Sequence, residues 1–209
     1  TVDEFRLAAY KTDSKPLYSF ENKLVKMANQ YIAGHGQNPA IAACVQKWLY
    51  QWAKDDALLG DANRSGILIR KWSLASIASA YIQTKHAPWQ HPNHKQKIEN
   101  WLSKVANTVV SDFSTNPQNN SRQNNHLYWA AWSVALTSYA VQDQSLFNWA
   151  MDSAKYGVQQ INMDGTLPQE MARSSRALLY HVFATSPLAM LAEMGKRNGI
   201  DLYTINDGA

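Results

Sequence analysis

Apolar residues recur along this chain at helical spacing, and each run ends in a short break rich in Gly, Pro or Asn. Leu17, Phe20, Leu24, Met27, Ala28 and Tyr31 fall on one face, because residues three and four apart on a helix are neighbours. Gly34-His35-Gly36 closes that run, and Pro16 precedes it, so residues 1–15 read as polar and peripheral. Asn38-Pro39 opens the next helix, with Asn as cap and Pro in the first turn. That helix passes through Val45, Trp48, Leu49 and Trp52 to residue 59. Further helices are expected over 66–85 (Ile69, Trp72, Ile77, Ala80 and Tyr81 inward), 95–113, 124–141, 144–161 and 176–195. No stretch alternates as a strand or carries a hairpin turn. The fold class is therefore all-α, one domain over 1–209, in which antiparallel helix pairs stack as a solenoid or curve into a toroid.

Composition narrows the partners. An apolar fraction of 45% with 17% charged residues is globular. No apolar run is long enough to span a bilayer, and no basic-then-apolar leader opens the sequence. The single cysteine, Cys44, lies in Ala40-Ile41-Ala42-Ala43-Cys44-Val45 and is expected to be a buried free thiol. A net charge of +4 favours polyanions. The chain also holds 8 Trp and 10 Tyr against 5 Phe, rings that join a stacking face to a polar edge. Together these point to nucleic acid or an acidic polysaccharide, although any single Trp is better explained as core filler, and Trp132 is assigned to the core. His91 and His94 sit in a proline-containing loop without a carboxylate or cysteine beside them, so no metal site is expected.

Two polar clusters stand out. Asn124-Asn125-His126-Leu127-Tyr128-Trp129 joins a Ser/Asn/Gln-rich stretch to an apolar helical run. Polar side chains at a helix entrance can line a cleft while the next turns anchor in the core. The second cluster is Arg173-Ser174-Ser175-Arg176-Ala177-Leu178-Leu179-Tyr180-His181. A helix running through it puts Arg173 and Tyr180 on one face, about 10 Å apart along the axis. A cap at Ser174 or Ser175 instead leaves Arg173 on the loop. Spacing alone favours a surface arginine pair with a half-buried tyrosine.

The first cluster, extended through Ala130-Ala131-Trp132-Ser133, resembles the signature of the alginate lyases of polysaccharide lyase family five. Arg173, Arg176-Ala177-Leu178-Leu179-Tyr180-His181 and Pro187-Leu188 resemble that family's second block. Arg70-Lys71-Trp72-Ser73-Leu74 and Trp52-Ala53-Lys54-Asp55-Asp56-Ala57-Leu58-Leu59 match further blocks in the same order. The resemblance implies an incomplete (α/α) toroid with a tunnel-like cleft, acting on mannuronate-rich alginate by β-elimination in the periplasm. It implies no cofactor, no metal, no nucleic acid, no membrane insertion and a monomer. It places catalysis on Asn125, His126, Arg173 and Tyr180. Set against the family pattern, the sequence starts after a lid loop and stops before further helices, so truncation at both ends is expected.

The chemistry explains those residue types. A uronate lyase removes the C5 proton and expels the C4 oxygen, forming a C4–C5 double bond. Negative charge builds on the neighbouring carboxylate, so donors and cations must meet it; Asn125, His126 and Arg173 offer an amide, an imidazole and a guanidinium. In mannuronate the C5 proton and C4 oxygen share a ring face, so one phenol, Tyr180, can serve both steps. In guluronate they lie on opposite faces, and His126 is the candidate base. Arg70, Lys71, Trp72, Tyr128, Trp129 and His181 are the expected substrate contacts, by charge or stacking. A competing reading makes Asp164 and Glu170 the carboxylate pair of a hydrolase, and another polyuronate such as polyglucuronate is a further candidate substrate.

Overall fold

The computed structural model describes residues 3–114 and 123–205. Most of the Ser/Asn/Gln-rich approach to the first cluster (115–122) and the end of the tail (206–209) lie outside them. The described chain is helical throughout, with no strand: α1 Glu4–Ala33, α2 Pro39–Lys54, α3 Arg64–Thr84, α4 Pro92–Ser114, α5 Asn125–Val141, α6 Gln144–Gln159, α7 Pro168–Met171 and α8 Ala177–Arg197, with a 3-10 turn Ser174–Arg176 before α8.

The helices form two rows. One row runs α1, α3, α5, α8, each packed on the next; α2, α4 and α6 cover it from outside. Sequence pattern sorts helices between the rows. α5 is apolar nearly all round and buries residues on every side, from Leu127 and Ala131 to Val134 and Thr137, as a helix enclosed by neighbours must. α2 buries a single stripe, Ala42, Val45, Gln46, Leu49 and Ala53, which fits an outer helix with one wet face. The core lies between the rows and is contiguous from Leu24 to Leu202. Polar edges of its large rings are paired: the Trp101 indole donates to the Ala57 carbonyl at 2.7 Å, and the Tyr81 hydroxyl donates to Glu99. Side-chain caps start four helices, at Asn38, Asn63, Asn124 and Asp143. This two-layer arrangement is the expected incomplete (α/α) toroid.

Five local expectations are corrected. The first helix begins at Glu4 and carries Pro16 in its interior, so the polar start of the chain is helical despite the missing amide donor. α4 begins at Pro92, and His94 is thereby in its first turn, stacked on Tyr50 with centroids 3.5 Å apart. Cys44 is exposed: it falls off the buried stripe of α2, and its apolar neighbours in sequence point elsewhere. Trp132 is half-buried against the core. By length and composition Ser174–Arg197 could also cross a membrane, contrary to the sequence reading. Here it packs on α5 and α6, with Leu178, Leu179 and Val182 left exposed on its outer face.

Candidate functional site

The site assembles where α5 starts. Asn124 is the cap, its Oδ1 accepting from the His126 amide at 3.0 Å. The first-turn N–H groups of a helix have no partner within it. One of them, on Asn125, donates to Glu170 Oε1 at 2.9 Å, and the Asn125 side-chain amide donates to the same oxygen at 2.9 Å. Glu170 is 0% exposed. Its charge meets the positive end of the helix, and its grip on Nδ2 fixes which way the Asn125 amide faces. Its other oxygen lies 3.7 Å from Arg173 Nε. Glu170 is thus tied to both polar clusters, to Asn125 by two hydrogen bonds and to Arg173 by the ion pair.

Arg173 sits on the loop side of the 3-10 turn, the alternative left open by the sequence. Ser174 takes a left-handed backbone conformation, φ 53°, and the turn folds Arg173 back so that its guanidinium carbon lies 4.7 Å from the Tyr180 ring centroid. The arginine thus stands between a buried carboxylate and a phenol.

His126 is the third member. Burial, then the nearby Lys71, Arg173 and Arg64, lower its pKa to about 4. It is a neutral imidazole near pH 7, able to donate from one nitrogen and accept on the other. Its Nδ1 has no hydrogen-bond partner among the described residues. The Trp72 ring lies 6.0 Å from it and Phe183 lies 6.2 Å from Trp72, so aromatic faces flank the imidazole. Phe183 is three residues after Tyr180, so helical spacing brings it to the same face, whereas Arg64 is brought near His126 only by the packing of α3 on α5.

Four expected substrate contacts prove to be occupied inside the protein. Arg70 is buried and donates to Asp112 at 2.7 Å and to the Gly60 carbonyl at 2.7 Å. Lys71 is 0% exposed, with Nζ 3.5 Å from the Trp72 ring centroid; burial lowers its pKa to about 6, so it presents no solvated cation to a polymer. Tyr128 is buried, its hydroxyl accepting from Gln160 Nε2 at 3.0 Å, and burial pushes its pKa up. His181 accepts from the Leu167 amide on Nε2 at 2.9 Å, which puts its proton on Nδ1, facing the Ala177 carbonyl at 2.9 Å. Nε2 thus ties the start of α7 to α8, and Nδ1 is spent within the first turn of α8 itself. Trp129 donates to the Phe183 carbonyl and keeps its ring half-buried, and Trp72 is half-buried as well.

The two carboxylates of the hydrolase reading sit in unlike settings, Glu170 buried and tied to Asn125, Asp164 at the surface. Asp164 is exposed and accepts from the Thr166 hydroxyl and amide within its own turn, and these bonds hold its carboxyl below the usual range. An acid catalyst needs the opposite shift. Among the described residues no group of three metal-ligating side chains comes together.

The sequence profile of the family described as alginate lyase matches residues 1–209. The chain belongs to the alginate lyase family. An alginate lyase of Cobetia marina is 42% identical over 206 residues, which are 96% of this chain and 54% of that protein. One from Pseudomonas syringae pv. syringae is 41% identical over 215 residues, covering 100% of this chain and 56% of the relative. The chain thus spans about half the length of the relatives it matches. Among solved structures, alginate lyase A1-III from Sphingomonas species A1 superposes with a TM-score of 0.85 at 30% identity, over 96% of this chain and 56% of that one. A histidine-to-alanine variant of A1-III complexed with a tetrasaccharide superposes with a TM-score of 0.85 at 29% identity, over 96% of this chain and 58% of that one.

Proposed function

We propose that this protein cleaves alginate at mannuronate residues by β-elimination, with Tyr180 taking the C5 proton and returning a proton to the departing C4 oxygen. The observation that carries the reading is Arg173, whose guanidinium faces the Tyr180 ring on one side and Glu170 on the other, beside the same helix start that bears Asn125 and His126. A uronate carboxylate docked there meets a guanidinium, an amide oriented by Glu170 and a neutral imidazole. Charge that develops on it as the C5–H bond breaks is stabilised by donors already in place. The electron pair then forms the C4–C5 double bond and expels the C4 oxygen, leaving an unsaturated 4-deoxy uronate at the new non-reducing end.

One phenol serving both steps requires the proton and the leaving oxygen on the same face, which is the mannuronate arrangement. Polymannuronate is therefore the preferred substrate in this reading, and a periplasmic, monomeric enzyme is part of the same proposal. Ultraviolet absorbance of the unsaturated product tests it on defined polymers. Absorbance growing on polymannuronate faster than on polyguluronate or polyglucuronate is expected. Chain shortening without that absorbance would mean hydrolysis and would reject the mechanism.

A further inference from the structure

A groove of about 910 Å³ opens elsewhere on the molecule. It lies between α1, α2 and the connection from α3 to α4, with Phe20, Trp48, Trp52 and Trp89 on its walls and Lys23 and Lys47 at its rim. None of its lining residues belongs to the Asn125–His126–Arg173–Tyr180 cluster. Along α3 the distance from Trp72 to Thr84, where that connection begins, is roughly 18 Å at 1.5 Å per residue.

Three of the chain's 8 tryptophans line this groove, and core packing accounts for only part of them. The buried layer beneath is aliphatic: Leu24, Ala28, Val45, Leu49 and Ala53. Trp48, Trp52 and Trp89 are each half-buried, packed on that layer with part of the ring at the surface. Their orientations are fixed. Phe20 stacks on Trp52 with centroids 3.7 Å apart and planes 8° from parallel, and the Trp89 indole donates to the Lys85 carbonyl at 3.0 Å. Rigid ring faces at a wet surface suit the flat apolar faces of sugar rings. The charge is one-sided. Lys23 and Lys47 are exposed and form no ion pair among the described residues, and no carboxylate lines the groove. A protein segment docking by apolar burial would meet aliphatic walls; aromatic walls with a cationic rim match a chain of sugar acids.

We propose that this groove is a second, non-catalytic binding site for a segment of an acidic polysaccharide, the same polymer class that the catalytic reading supplies. It holds a polyuronate by ring stacking on the tryptophans and by Lys23 and Lys47 to its carboxylates, and so keeps long polymer on the enzyme while its catalytic end works.

The test uses tryptophan indole N–H resonances during titration with an oligomannuronate and, as a control, a neutral manno-oligosaccharide. The Trp48, Trp52 and Trp89 signals are expected to shift with the acidic oligomer and to stay still with the neutral one. A Lys23→Glu, Lys47→Glu double variant, altered only at exposed positions, should weaken that response at least about tenfold, as loss of charge-assisted contacts does. Its turnover of a short oligomer should stay unchanged while its advantage on long polymer falls. Still indole signals in this groove, or equal shifts with the neutral sugar, overturn the proposal even if the enzyme makes unsaturated product. Shifts in the groove without any product would uphold it and reject the catalytic reading instead.

Discussion

The start of α5 and the middle of the two-layer core handle polar groups in opposite ways. In the core, hydroxyls close on their own helix: Ser133, Thr137 and Ser138 each donate to a carbonyl three or four residues back, at 2.8, 2.9 and 2.7 Å. At the site the pairing is left incomplete. Lys71 Nζ, Trp72 Nε1, Asn125 Oδ1, His126 Nδ1 and Glu170 Oε2 are five of the eight buried side-chain polar atoms without a hydrogen-bond partner among the described residues. A buried unpaired polar group costs about 1–3 kcal/mol. Of these atoms Lys71 Nζ and Trp72 Nε1 are donor sites, while Asn125 Oδ1 and Glu170 Oε2 can only accept, so the site keeps both kinds of unmet group. The core makes the molecule stable; the site spends some of that stability on readiness to bind.

If that division holds, changes at the site should cost rate and changes in the core should cost stability. The largest effect is expected from Tyr180→Phe, which keeps the ring under Arg173 and removes the hydroxyl. Turnover should fall by about 10³ or more, in the upper range for an acid–base group, while oligosaccharide affinity survives. Steady-state kinetics beside direct binding decides it, and near-normal turnover removes Tyr180 from its role. Asn125→Ala should cost about 10²–10³ in rate, as loss of one donor to developing charge does. Glu170→Gln sharpens the contrast, because it preserves shape while weakening the hold on both Asn125 and Arg173. A drop of roughly 10–10² in kcat with KM little changed is expected, the signature of lost transition-state stabilisation; a variant that merely unfolds would show the loss in stability instead.

Titration gives an effect on stability with a definite sign. His126 has its pKa lowered from 6.5 to about 4, so between those values the unfolded chain binds a proton that the folded chain refuses. Stability is therefore complete above pH 6.5 and lost as pH falls toward 4, by roughly 3 kcal/mol in all. Urea unfolding at pH 4 and 6.5 should show this difference, and His126→Gln should flatten it. The smallest expected effect lies in the core. A Cβ on Gly157 would come within 2.7 Å of the Tyr128 ring and 2.8 Å of Leu188 Cδ2, where α5, α6 and α8 meet. Gly157→Ala should cost about 1–3 kcal/mol by overpacking and leave the kcat of the folded fraction intact. A large fall in kcat there would break the separation between core and site.

Periodicity made the helices legible, because a repeat of 3.6 residues is a local property. It erred where one residue seemed to decide: Pro16 read as a boundary, yet α1 runs through it because packing on α2 and α3 outweighs one missing hydrogen bond. The site residues were legible as chemical types in two compact blocks. Their division of labour was hidden. Arg70, Lys71, Tyr128 and His181 all carry groups suited to a sugar acid; Arg70, Tyr128 and His181 are held by partners distant in sequence, and Lys71 is turned inward by burial beside its neighbour Trp72.

By itself the sequence determined that the chain is helical, where most helices break, and which two blocks hold the amide, imidazole, guanidinium and phenol. Tertiary structure alone decided that Glu170, 45 residues from Asn125, reaches back to orient it, and that a left-handed turn at Ser174 folds Arg173 over Tyr180. The reason is physical: helical spacing is written in consecutive residues, whereas burial and the pairing of charges depend on which distant segments the packed rows bring together.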